Sequence, residues 1–143
     1  MKRAARPFLD RTRARAWAVQ VHYHWETALP RGTVLDALAE VAATRHISPA
    51  RLSYVVELLE LLHLRLEEID ARISGNLENW KLSRISRIDR AIIRIASVEI
   101  LYVDDVHAKV AIQEAVRIAD SYGGGDSPGF VNGVLDGIYR RSG

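Results

Sequence analysis

The 143-residue sequence has no cysteine. That absence removes disulfide-stapled scaffolds, zinc–thiolate sites and cysteine nucleophiles. No apolar run approaches the roughly 20 residues needed to cross a bilayer. The basic first residues lead into no uninterrupted apolar stretch, so a secretory signal is not expected and a cytoplasmic address is. Strand-like alternation is also missing, and prolines are few: Pro7, Pro30, Pro49 and Pro128. Acidic residues are nearly absent from the first 25 positions, where Asp10 alone faces Lys2, Arg3, Arg6, Arg11, Arg13 and Arg15.

What is present has the balance of a folded domain, with 48% hydrophobic and 27% charged residues. The length suits one domain with a buried core and is short for two. The overall charge of +2 divides into +5 over the first 25 residues and −3 over the other 118. Arginine supplies 17 of the 20 basic side chains. Its guanidinium fork grips phosphate bidentately and stacks on bases, so a basic end on an acidic body points to a polyanion partner. A merely solvated terminus is the bland alternative.

Helical periodicity runs through almost the whole chain. It predicts helices near 10–29, 33–46, 49–74, 87–104, 107–122 and 128–141, with a helical turn around 80–85. Thr33 with Asp36, and Ser86 with Asp89, resemble capping boxes, and Ser48-Pro49 and Ser127-Pro128 read as cap and first helical residue. In the long third segment Val55, Leu58, Leu59, Leu62, Leu66, Ile69 and Ile73 form one stripe, opposite Glu57, Glu60, Glu67 and Glu68. Gly75 after it suits a left-handed C-cap. The expectation is an all-α chain of about seven helices: one domain over 1–143, built from two packed helical halves of about 1–75 and 76–143.

Residues 88–103 are apolar almost all round, as in a buried central helix. Arg90, Arg94 and Ser97, with Arg87 just before, form its one polar strip, expected to face solvent or a partner. The alternative is internal pairing with Glu99, Glu114 or helix C-termini. In the first helix Ala14, Trp17, Ala18, Val21, Trp25 and Ala28 share the expected core stripe. Val19 and Tyr23 fall opposite, flanked by Arg15 and His22 on one side and Gln20 on the other. Three arginines in five residues cannot all face a core, and an outward tyrosine beside them suits single-stranded RNA. Packing of Tyr23 against another helix is the competing account.

Other constellations carry less. His22 and His24 point about 200° apart on a helix and cannot share a metal ion. His63 and His107 stand alone. Gly123-Gly124-Gly125-Asp126 lacks the ending of a phosphate loop and follows a helix, so it reads as a helix stop. Phe130 falls in the first turn of the last helix, either outward toward bases or inward with Val134 and Ile138. Gly133 and Gly137 permit close helix approach. No set of side chains forms catalytic equipment, and no cofactor is implied.

Taken in order, these elements resemble one family. They are Arg11, Arg13, Arg15, Gln20, Tyr23 and Trp25; Trp80 to Arg84; Ile88-Asp89-Arg90 to Arg94 and Glu99; Lys109-Val110-Ala111-Ile112 with Glu114; and Asp126, Ser127 and Phe130-Val131-Asn132-Gly133-Val134-Leu135. The order is similar to the NusB family of bacterial transcription antitermination factors. The resemblance covers nearly the whole chain, although about 30–75 matches only as a helical pattern. It implies an all-helical, non-enzymatic factor. Such a factor binds single-stranded boxA RNA of ribosomal RNA transcripts together with the ribosomal protein S-ten (NusE). The complex then joins other Nus factors on RNA polymerase. By the same resemblance, Arg11, Arg13, Arg15, Gln20, Tyr23, Asp126, Ser127 and Phe130 are the RNA-binding residues. Gln113, Asp120, His107, Pro128 and Gly129 depart from the usual pattern. Two alternatives remain: a helical adaptor with incidental arginines, and a relative of the N-terminal domain of ribosomal RNA cytosine methyltransferases. The latter enzymes need a further α/β domain, which this sequence does not include.

Overall fold

A computed structural model describes residues 7–28, 31–78 and 81–142. Lys2, Arg3, Arg6, Pro30 and Trp80 lie outside the described residues. The order is α1 (Pro7–Thr27), α2 (Val34–Thr44), α3 (Pro49–Ser74), a 3-10 turn (Leu82–Arg84), α4 (Arg87–Tyr102), α5 (Ala108–Tyr122) and α6 (Ser127–Ser142). Six α-helices and one 3-10 turn account for the expected seven, and no strand occurs among the described residues. No helix among them is long and apolar enough to cross a membrane.

Local chemistry sets most boundaries. Thr33 accepts from the Asp36 N–H while Asp36 accepts from the Thr33 N–H, a complete capping box for α2. Ser86 accepts from the Asp89 N–H at the start of α4. Ser48 caps α3 by backbone alone, with Pro49 as the first helical residue. His107 caps α5, its Nδ1 accepting from the Lys109 N–H at 3.0 Å. Four details differ from the sequence reading. The first helix begins at Pro7 rather than beyond it, because proline is well suited to a first turn. Similarly, α6 begins at Ser127, where Asp126 O accepts the first helical bond, from Phe130 N–H. Gly75 is right-handed (φ −64°, ψ −13°), since the Asn76 amide closes the helix end onto Arg72 O. Gly133 faces open space, whereas a Cβ on Gly137 would strike the Asn76 side chain.

The apolar faces merge into one cluster to which every helix contributes. At its centre is α4, which packs against α1, α3, α5 and α6, while α2 lies on α1 and α3. The α3 stripe is buried as expected except for half-buried Leu66. Helix α3 also bends at Arg65, whose φ and ψ of −114° and 19° leave the helical region.

The first helix is rotated relative to its expected orientation. Ala14, Ala18 and Val21 are buried, but so are Val19, His22 and Arg15. These last three face α4 and α5, where Val19 meets apolar side chains and Arg15 and His22 find polar partners. Ser97, expected on an open strip, is fully buried and donates to Ile93 O. Arg94 is buried too. Its guanidinium donates through Nε and Nη2 to Asp70 at 2.9 Å each, and approaches Glu26 at 3.3 Å and His22 Nε2 at 3.2 Å. Arg90 donates to Glu26 at 2.8 Å and to the carbonyls of Leu82 and Ile85. The strip is therefore a seam between α4 and the α1 and α3 helices. Its carboxylate partners are Glu26 and Asp70, not the Glu99 or Glu114 considered from sequence, while Arg90 also meets a helix end, that of the 3-10 turn. Arg87 alone of the three stays exposed.

His22 is neutral in this seam. A guanidinium can only donate, so Nε2 accepts and the ring proton sits on Nδ1. Burial, then the charges of Arg94, Arg90 and Arg31, lowers its pKa from 6.5 to about 3. The unfolded chain therefore takes up the proton first as pH falls from 6.5 toward 3, and folding stability falls with it. For one proton the slope approaches about 1.4 kcal/mol per pH unit. Denaturant unfolding of the wild type between pH 7 and pH 4.5 should show this slope above that of His22→Gln, and parallel curves would refute it.

Candidate nucleic-acid interface

The arginine-rich turn of α1 divides in three directions. Arg11 donates to Asp105 at 3.0 Å and stacks 4.5 Å over the Tyr54 ring. That hydrogen bond raises the Arg11 pKa and lowers that of the Asp105 carboxyl. Arg13 is exposed and makes no ion pair among the described residues. Arg15 is only 5% exposed. Its Nε lies 2.8 Å from both Glu99 oxygens, and its Nη1 donates to Glu114 at 2.9 Å. The Tyr54 hydroxyl donates to Glu99, and Thr12 donates to Glu114 at 2.6 Å. Burial opposes the Arg15 charge, but Glu99 more than offsets it and the pKa is raised. Burial, followed by Glu99, pushes the Tyr54 phenol up. Of the three arginines grouped by sequence, Arg15 is thus committed to the interior. Its partners lie 84 and 99 residues downstream, which spacing within one helix cannot reveal.

Two clefts flank the turn between α5 and α6. The first, about 390 Å3, is lined by Asp126, Ser127 and Phe130 on one side and Arg84, Ser86 and Asp89 on the other. It joins the turn after α5 and the start of α6 to the 3-10 turn and the start of α4. Asp126 is exposed, whereas Ser127 is buried and its hydroxyl accepts from the Gly124 N–H at 3.0 Å. Gly123 is required there, because a Cβ would collide with Ser127 and the Ala119 carbonyl. Ser127 therefore shapes the turn and is not exposed as a contact. Phe130 is half-buried, packed on the core with one side while lining the cleft. Both accounts considered for it from sequence describe part of its surroundings. Asp89 is 9% exposed, and its Oδ1 has no hydrogen-bond partner among the described residues.

The second cleft, about 340 Å3, contains Arg13 and Gln20 of α1. Tyr23, 43% exposed, follows Gln20 on the outer face of α1 but lines neither cleft. The sequence reading missed Arg84 as a cleft residue and treated Asp89 only as a capping partner. The missed signal is an acid at the third position of an apolar helix, where its side chain is drawn inward.

With that arrangement in view, the sequence signature of the NusB family matches residues 12–140. The chain belongs to the NusB family. A transcription antitermination protein NusB from Shewanella denitrificans is 36% identical over 132 residues, spanning 92% of this chain and 97% of its own length. The T. maritima NusB structure superposes with a TM-score of 0.81 at 32% identity, covering 91% of this chain and 90% of that one. A structure described as antitermination factors NusB and NusE in complex with dsRNA shares the fold. Its TM-score is also 0.81, at 24% identity, over 93% of this chain and 98% of that one. Family membership places the chain among antitermination proteins and not among enzymes.

The interior position of Arg15 separates it from the other two arginines in a measurable way. Arg15→Ala leaves Glu99 and Glu114 without their buried counter-charge and should cost about 3–5 kcal/mol of stability. Arg13→Ala should leave the melting temperature nearly unchanged. Thermal melting of the two variants checks this, and equal melting temperatures would contradict the assignment.

Proposed function

We propose that this chain is a transcription antitermination factor of the cytoplasm that binds boxA-like RNA together with the ribosomal protein S-ten (NusE). Through that complex it meets other Nus factors and RNA polymerase. The observation that carries the RNA reading is the first cleft itself, which Phe130 and Arg84 line together with Asp89 and Asp126. An unstacked base carries hydrogen-bond donors on its Watson–Crick edge that suit an acidic wall, and an aromatic ring offers it a face. Arg84 is exposed at the same cleft and supplies charge for phosphate. Arg11, Arg13, Gln20 and Tyr23 extend the surface along α1, and Asp126 edges it at the turn. Arg15 and Ser127 act from beneath: one fixes α1, the other the turn. Arg90 and Arg94 hold α4 in place, leaving Arg87 as the exposed member of that strip.

The complex with NusE described above contains double-stranded RNA. The cleft favours an unstacked base, so single- and double-stranded forms belong in one titration, with and without S-ten and with a scrambled control. Phe130→Leu keeps the apolar contact but removes the flat face. It should weaken single-stranded binding about tenfold or more, since a stacked base is worth roughly 1–3 kcal/mol. Asp89→Ala should weaken binding as well, and both variants should melt within a few degrees of wild type. Unchanged affinity in both would reject the cleft as the site. RNA affinity absent at low salt would favour the adaptor reading.

A further inference from the structure

The second cleft is not used by this reading beyond Arg13 and Gln20. We propose that it is a separate nucleotide subsite, taking one further nucleoside phosphate of the same RNA strand beyond the base placed in the first cleft. It rests on the RNA-binding reading above.

Three elements build this cleft. Helix α1 supplies Arg13, Trp17 and Gln20; the entry to α3 supplies His46, Ser48 and Arg51; the end of α5 supplies Tyr122. No carboxylate lines it. The nearest acid in the bonding pattern is Asp10, which accepts from Arg51 Nε at 3.2 Å and is engaged there. Arg13 makes no ion pair among the described residues, and His46 is exposed. The Ser48 hydroxyl makes no capping bond, and the 26-residue α3 directs its positive end here. Phosphate thus meets the unpaired guanidinium of Arg13 and a spare hydroxyl, while Arg51 is held by Asp10 and no carboxylate among the described residues lines the cleft.

The aromatic walls fit the remainder of a nucleotide. Tyr122 is 60% exposed, a large ring left in water at the rim. Trp17 is stacked by Arg45 at 5.1 Å, so the guanidinium is held in place beside the cleft. Gln20 offers both a donor and an acceptor. A volume of about 340 Å3 is at the small-molecule end of binding clefts.

Position argues for a shared strand. Tyr122 lines this cleft, while Gly124 and Gly125 line the first. Two residues of chain span at most about 7 Å, so the clefts adjoin across one turn. Gly124 and Gly125 have open space where a Cβ would stand, leaving the saddle between the clefts low.

The test uses the full chain and two boxA-like single-stranded RNAs, one of about six nucleotides and one of about twelve, within the usual range of site sizes. Tyr122→Ala and His46→Ala alter exposed side chains, and melting curves check that both fold. Each should bind the longer RNA several-fold to about tenfold more weakly and the shorter one as wild type does. Arg13→Gln should reduce the salt slope for the longer RNA by about one. Phe130→Leu should weaken both RNAs, since it belongs to the first cleft. If Phe130→Leu weakens both but Tyr122→Ala and His46→Ala leave the longer RNA unaffected, this subsite is refuted and the first reading stands. If neither RNA binds, both readings fall. A uridine monophosphate titration, followed by the NMR signals of His46 and Tyr122, separates a free nucleotide from a strand. Saturation by the mononucleotide alone, with unaltered RNA affinity in the variants, overturns the proposal in favour of a small-molecule site.

Discussion

The buried contact between Arg15 and Glu99, with Glu114 as third member, is the constraint on which the arrangement of helices depends. It ties α1 to α4 and α5, and Tyr54 brings α3 to the same carboxylate. A buried charge without its partner is far costlier than an unmatched apolar contact, so the network tolerates little displacement of these helices. Rotating α1 to bury the stripe read from sequence would draw Arg15 away from Glu99. The observed rotation instead buries Val19 and His22 and turns Arg13, Gln20 and Tyr23 outward. The outer surface of α1 is therefore determined by what its inner surface must pair with.

A second seam repeats this logic about two turns further along α1. Arg94 brings Asp70 of α3 and Glu26 of α1 to α4, with neutral His22 beside them. Together the two seams fix α4 along most of its length. Helix α4 begins at the first cleft, so the position of Asp89 relative to Phe130 follows from contacts deep in the protein. Preorganisation of this sort lets an interface bind without first ordering itself.

The helices and most of their boundaries were legible because they are written locally: the periodicity of α3, the Thr33–Asp36 box, the Ser48-Pro49 start. The burial of α4 was legible too, because its apolar residues surround it. The role of its arginines was not. A guanidinium on a helix looks the same whether it meets water or a carboxylate on another helix, and Glu26 and Asp70 reach Arg94 only through tertiary packing. Arg15 was misplaced for the same reason. Asp126 and Phe130 were singled out through a motif, while Arg84 and Asp89 in one cleft, and His46 and Tyr122 in the other, take their places only once separate chain segments meet. The clefts are properties of that meeting and have no counterpart in any single stretch of sequence.

The long reach of the Arg15 network has a consequence for how the protein is made. Helix α1 leaves the ribosome first, but Glu99 and Glu114 follow 84 and 99 residues later. At about 5–20 residues per second, the nascent chain spends roughly 5–20 s with this arginine unmatched. During that interval the arginines of α1 have no interior to enter, and the most basic stretch of the chain is presented whole to the messenger and ribosomal RNA around it. Completion of α5 then withdraws one of those charges, so the finished protein is less indiscriminate toward polyanions than its own nascent chain.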